Sequence, residues 1–268
     1  MHLVTHGADG GTPVLALHGW SVDHRLMSGC LEPLFTRRPG YRRLYPDLPG
    51  MGCTPAGDAA SSDDLLAAVL ALVDAILGTT PFLLVGESYG GYLSRAVVRA
   101  LPGQVLGLAL ICPVGQTLDR AARIRPPHQV LRTTPGLLAG LDDATRADYT
   151  ELAVVQTPET LRRFHDEIVP ALQLTDHEAI ARIERRWHLT EDPDSPTPFD
   201  RPTLILCGRQ DSSVGYADQF ALLPHYPRAT FAVLDVAGHN LQIEQPALFE
   251  TLMNDWLDRC ATEPAPPR

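Results

Sequence analysis

The chain reads as an α/β fold: a mostly parallel, doubly wound sheet flanked by helices and carrying one helical insertion. Short apolar runs rich in Val and Leu alternate with longer amphipathic stretches, and turns rich in Gly, Pro and Asp separate them. The alternation breaks off once, over a long stretch in which only helical patterns follow each other. At 268 residues the chain is long enough for one such core with an insertion.

The elements follow in order. Val14 to Leu17 is the first apolar run and a strand, and Leu26 to Phe35 has helical spacing. Arg43 to Tyr45 is the next strand. Asp63 to Leu77 is a helix opened by Ser61-Ser62-Asp63-Asp64, which supplies capping hydroxyls and acidic first-turn residues. Phe82 to Val85 is a buried strand. Tyr89 to Leu101 is a helix with Leu93, Ala96, Val97, Ala100 and Leu101 on its apolar side and Arg95 and Arg99 elsewhere on the wheel, and Leu106 to Ile111 is a strand. From about Pro113 to Pro198 strand patterns vanish, and Asp142 to Gln156, Pro158 to Leu172 and Asp176 to Leu189 read as helices. This insertion is entered through Pro126-Pro127 and left through a charged, Pro-rich stretch from Glu191 to Pro198, which favours extended backbone and suits a hinge or linker. Thr203 to Cys207 (strand), Tyr216 to Leu223 (helix), Thr230 to Leu234 (strand) and Ala247 to Cys260 (helix) complete the pattern. The expected organisation is a core of residues 1–112 and 199–262, a helical cap of residues 113–198, and a disordered tail of residues 263–268.

Composition excludes several function classes. The net charge of -10 repels polyanions, so nucleic acid is not the expected partner. Every basic residue is Arg, which removes lysine Schiff-base chemistry and the phosphate-binding lysine of a P-loop. The five cysteines (Cys30, Cys53, Cys112, Cys207, Cys260) form no C-x-x-C pair and read as free thiols of a reducing compartment. With no signal-peptide pattern at Met1-His2-Leu3-Val4-Thr5-His6 and no apolar run long enough to span a bilayer, the expectation is a cytoplasmic protein without a membrane partner. The cap histidines His128, His165 and His177 lack metal-ligand spacing, so no metal is expected.

The chemistry concentrates at Gly86-Glu87-Ser88-Tyr89-Gly90-Gly91. A strand that reverses abruptly into a helix exposes its turn residue, and small neighbours let the two backbones approach. Ser88 at that tip is a candidate nucleophile, and a hydroxyl at neutral pH needs a base and a carboxylate to orient the base. Asp211 follows the strand from Thr203, and His239 follows the strand ending at Leu234. Both lie just beyond strand C-terminal ends, where loops of an open parallel sheet converge. The competing readings are a plain turn serine, an Asp211 that caps the helix near Gly215-Tyr216 or yields its role to an acid from another loop, and a structural or surface histidine.

With the order Ser, Asp, His, with His18-Gly19-Trp20 after one strand and Asp47-Leu48-Pro49-Gly50-Met51-Gly52 after the next, the chain resembles the capped serine hydrolases of the α/β-hydrolase fold. The resemblance implies a catalytic triad of Ser88, Asp211 and His239 and an oxyanion hole from the backbone N–H groups of Trp20 and Tyr89. It also places Trp20, Tyr89 and Met51 near the pocket mouth. His18 reads as an organiser of its loop, with His18, Met51 and Trp20 as candidate substrate contacts. Arg123, Arg125 and Arg132 read as a solvated charged face, with pairing to a substrate carboxylate as the rival. The implied activity is hydrolysis of a small-molecule carboxylic ester, thioester or lactone through an acyl-enzyme, with no cofactor. Alternatives are carbon–carbon bond hydrolysis of a vinylogous diketone, amide cleavage, and a non-catalytic small-ligand binding protein. Both a monomer and a homodimer are compatible with the sequence.

Overall fold

Every residue of the run from Phe82 to Glu87 is buried, the signature of a strand covered on both faces, and it forms the middle of the sheet. A computed structural model describes residues 1–194 and 196–263. In chain order the elements are β1 (Leu3–His6), β2 (Thr12–Leu17), α1 (His24–Phe35), β3 (Tyr41–Pro46), α2 (Ser62–Leu77), β4 (Phe82–Glu87), α3 (Ser88–Ala100) and β5 (Val105–Ile111). Then come β6 (Arg132–Thr133), α4 (Asp143–Leu152), β7 (Val155–Gln156), α5 (Pro158–Glu167), α6 (Val169–Leu174) and α7 (His177–Glu184). The chain closes with β8 (Thr203–Gly208), α8 (Ala217–Phe220), β9 (Ala229–Leu234), α9 (Leu241–Glu244) and α10 (Pro246–Ala261).

The main sheet has the order β1-β3-β2-β4-β5-β8-β9, parallel throughout except for β1 against β3. The chain steps outward from β2 to β3, then returns to place β4 on the other side of β2, so the direction of winding reverses between β2 and β4. At such a reversal the loops leaving neighbouring strands diverge to opposite faces and open a crevice at the strand C-terminal ends. The loops after β2 and β4 carry Trp20 and Ser88.

Six expected strands occur, each extended by one to three residues. The seventh, β1, went unread because half of its four residues are exposed and it is short, which leaves little hydrophobic signal. Helix α2 starts as its sequence dictates: the Ser61 hydroxyl accepts from the Asp64 amide, and Asp63 and Asp64 lie in the first turn.

Three helices expected between residues 142 and 189 become four shorter ones with one small strand, β7, among them. The helix expected from Pro158 to Leu172 breaks at Ile168, because Pro170 has no N–H to continue the ladder and disfavours helical backbone at the residue before it. The helix expected to reach Gln156 stops at Leu152. Ala153 turns extended, and β7 pairs with β6 while the Glu244 carboxylate accepts from the amides of Val154 and Val155. Likewise the helix expected from Tyr216 to Leu223 is short, with Pro224 opening a 3-10 turn at Leu223–His225.

The insertion packs through a small apolar cluster of its own. Tyr149, Ala153, Phe164 and Ile168 meet Leu26 of α1 and Ile243 of α9. Arg95, expected away from the apolar side of its helix, is instead 1% exposed. Its guanidinium pairs with Asp194 and donates to the carbonyls of Val114 (2.8 Å) and Gly115 (3.0 Å), so it ties both ends of the insertion to α3. Asp194, in the stretch expected to act as a linker, is thus anchored; Ser195 of that stretch and residues 264–268 of the expected tail lie outside the described residues.

Candidate active site

Ser88 sits at the junction of β4 and α3 with φ of +51°, a left-handed conformation that costs a non-glycine residue roughly 1–3 kcal/mol. The turn holds because Gly86 and Gly90, two residues to either side, have no side chains. A Cβ on Gly90 would run into the carbonyls of Leu17 and His18, and one on Gly86 into the backbone of Gly90. The strained turn lifts the Ser88 hydroxyl out of the sheet into a cavity of about 1050 Å³.

His239, in the loop after β9, places Nε2 2.9 Å from Ser88 Oγ and Nδ1 2.8 Å from Asp211 Oδ2. The other Asp211 oxygen accepts from the amides of Ser213 (2.8 Å) and Val214 (2.9 Å), which fixes the carboxylate in the turn after β8. A carboxylate can only accept, so Nδ1 carries the proton and Nε2 presents its lone pair to the serine hydroxyl. Burial works against a charged imidazole here, but the Asp211 charge and hydrogen bond, with Glu87 adding to them, raise the His239 pKa above its ordinary value. Asp211 is itself buried, yet the His239 charge and hydrogen bond and the two amides keep its carboxyl below the usual range.

Trp20 and Tyr89 both line the cavity beside Ser88. Tyr89 lies in the first turn of α3, where an amide has no intrahelical acceptor and is free to point at a ligand oxygen. The two rings pack against Trp187, edge-on for Trp20 and tilted for Tyr89: centroids lie 4.8 Å apart for Trp20 with Tyr89, 4.8 Å for Trp20 with Trp187 and 4.6 Å for Tyr89 with Trp187. This aromatic wall joins the core to the stretch after α7.

Two expected substrate contacts are corrected. His18 is fully buried and does not line the cavity: its Nδ1 donates to the Gly19 carbonyl (2.8 Å) and its Nε2 accepts from the Leu48 amide (2.9 Å). Burial lowers its pKa, which favours this neutral ring. It shapes the loop that carries Trp20, in keeping with the loop-organising reading. Met51 is also absent from the lining, because it is fully buried within the main core.

Glu87 escaped the sequence reading, although it stands beside the candidate nucleophile. It is 2% exposed, with Oε1 3.6 Å from His239 Nε2. Burial, with the Asp211 charge adding to it, pushes its carboxyl up to about 7 against the opposing pull of His239 and the Gly19 amide. The signal is an ionisable acid directly before the candidate nucleophile.

The sequence model of the Alpha/beta hydrolase family matches residues 14–252. Among curated proteins, the chain is 28% identical to the biotin biosynthesis bifunctional protein BioHC of Cellvibrio japonicus, covering 93% of this chain and 48% of that protein. It thus spans about half the length of that relative. It is 29% identical to the pimeloyl-[acyl-carrier protein] methyl ester esterase of Aeromonas hydrophila (89% and 92% covered) and 24% identical to a 2-hydroxymuconate semialdehyde hydrolase of a Pseudomonas species (94% and 89%). Among solved structures, an alpha/beta superfamily hydrolase from Oenococcus oeni superposes with a TM-score of 0.88 at 29% identity, covering 97% of this chain and 96% of that one. With its family match spanning most of the sequence, and with the sheet order and strained serine turn described above, the chain belongs to the α/β hydrolase family.

Proposed function

We propose that the protein is a serine hydrolase that cleaves a small-molecule carboxylic ester, thioester or lactone through an acyl-enzyme. The observation that carries this reading is the unbroken line from Ser88 Oγ through His239 to Asp211, with the serine end opening into a cavity. As Ser88 Oγ attacks the carbonyl carbon, its proton passes to His239 Nε2, and Asp211 holds the ring and stabilises its charge. The tetrahedral oxyanion lies against the Trp20 and Tyr89 N–H groups, fixed donors each worth about 2.7–4 kcal/mol in related sites. Collapse breaks the bond to the alcohol oxygen, which takes the proton from Nε2. Water then enters, loses a proton to the same nitrogen, and releases the acid and Ser88 by the reverse sequence.

Residues 113–198 act as the lid over this site, and selectivity resides in the cavity between lid and sheet. Five free cysteines, three of them buried, suit a reducing compartment, which supports the cytoplasm as the location. None of the described helices is long and apolar enough to cross a membrane. A monomer or homodimer serves the mechanism equally, since each of these side chains comes from one chain.

The test is covalent labelling. A fluorophosphonate probe is expected to modify Ser88, and turnover of short p-nitrophenyl esters is expected to vanish in Ser88→Ala. Absence of an adduct together with unchanged turnover in the variant removes the nucleophile, and ligand binding without turnover would then point to a binding protein. Cleavage of a vinylogous diketone much faster than any ester would replace ester hydrolysis by carbon–carbon hydrolysis at the same site.

A further inference from the structure

Arg123 is 8% exposed and lines the same cavity as Ser88, yet no carboxylate among the described residues forms an ion pair with it. Its Nε donates to the Thr117 carbonyl (3.0 Å) and its Nη2 to the Leu118 carbonyl (3.2 Å). A guanidinium has five N–H donors, so three remain without an acceptor among the described residues. The acids in its vicinity are engaged elsewhere. Asp218 accepts from the amide (2.7 Å) and hydroxyl (3.1 Å) of Thr117, and Asp211 is taken up by His239, Ser213 and Val214. Burial together with the charges of Arg120 and Arg125, both also on the cavity wall, lowers the Arg123 pKa and leaves the cation short of compensation.

A mostly buried cation without a counter-charge is costly, and here Nη1, which is not sealed from solvent, opens on the cavity, where an anion can complete it. The position is also held in advance. Asp218 pins Thr117, Thr117 and Leu118 orient the guanidinium plane, and Arg125 ties the next turn to the Ser212 carbonyl at 2.7 Å. Nη1 and the remaining N–H of Nη2 form the end of a planar fork that matches the two oxygens of a carboxylate. The cavity lining mixes signs, with Glu87, Asp148, Glu151 and Glu244 as well as Arg120, Arg123 and Arg125, and the whole chain carries -10, so an anion gains nothing from the protein's general field and depends on the arginine cluster. Asp148 and Glu151 of α4 also reach the cavity, but both are exposed and solvated.

We propose that Arg123 is a substrate-binding residue that receives a carboxylate of the substrate, remote from the scissile carbonyl, and that the enzyme therefore prefers esters bearing a free carboxylate. This rests on the ester-hydrolase reading above. The experiment compares kcat/KM for p-nitrophenyl half-esters of straight-chain dicarboxylic acids, succinate to suberate, with the methyl diesters of the same acids. Acetyl esters of hydroxy acids and of their methyl esters carry the charge on the alcohol side. At the best chain length the anionic ester is expected to lead by at least about tenfold, and Arg123→Met to bring that ratio close to one, with Arg123→Lys in between. Should Arg123→Met fail to fold, wild-type inhibition decides: the free dicarboxylate is expected to compete at least about tenfold better than its monoamide. Ratios at or below one in every series, or equal inhibition by acid and amide, overturn the proposal while leaving ester hydrolysis intact. If no ester of either class turns over and Ser88 is not labelled, the hydrolase reading fails, and calorimetric binding of the dicarboxylate against its monoamide still tests Arg123.

Discussion

At the scale of single residues the site combines strain, burial and charge. Ser88→Ala is expected to reduce ester turnover by roughly 10⁶-fold with the thermal midpoint little changed, because an alanine occupies the same backbone. Ser88→Gly relieves the positive φ and is expected to raise stability by about 1 kcal/mol once the entropy of glycine is subtracted, read from urea midpoints. The pH profile follows from the raised His239 pKa. The base must be neutral to take the serine proton, so the acid limb of kcat/KM is expected above pH ~6.5, the ordinary histidine value. Glu87 helps hold His239 charged, so Glu87→Gln is expected to move that limb to lower pH; an unmoved limb contradicts the coupling. Of these residues, Ser88, Asp211 and His239 were legible because each pairs a reactive group with a turn after a strand. Glu87 was not, since nothing in the sequence shows what seals it, and Arg123 entered only among three arginines read as a solvated face with carboxylate pairing as the rival, because the mixed stretch from Thr117 to Arg125 has no periodicity that betrays a buried member.

Elements matter here through what fastens them. Asp47, in the loop after β3, gathers His2 (2.8 Å), the His24 ring (2.7 Å) and the amides of His24 (2.9 Å) and Cys53 (2.8 Å), so one carboxylate joins the first residues of the chain, α1 and the loop. Burial opposes its charge, but these hydrogen bonds outweigh it and hold the carboxyl well below the ordinary range. A depressed carboxyl contributes stability above its unfolded pKa of about 3.9 and loses it only as pH falls through the lower folded value. Asp47→Asn is therefore expected to destabilise the protein at neutral pH and to flatten the stability profile in acid, as measured by denaturant titrations across that range. The Arg95–Asp194 pair fastens the insertion in the same way. Breaking it with Asp194→Asn strands a buried guanidinium and is expected to cost about 3 kcal/mol. No helical wheel reveals this pair, because its halves are 99 residues apart in sequence.

Over the whole molecule, the alternation of strands and helices was readable because parallel strands buried on both faces leave dense apolar runs. The edge strand β1 and the breaks within the insertion were not, since short half-exposed segments carry little pattern and a tertiary partner such as Glu244 decides where a helix stops. The same architecture supplies an optical reporter. The chain has three indoles: Trp256 is sealed within α10 against the Pro202 carbonyl, whereas Trp20 and Trp187 face each other across the cavity wall. A molecule entering beside Ser88 must change the surroundings of two emitters out of three, so intrinsic fluorescence can follow occupancy in the unlabelled protein, with Trp256 as an internal standard.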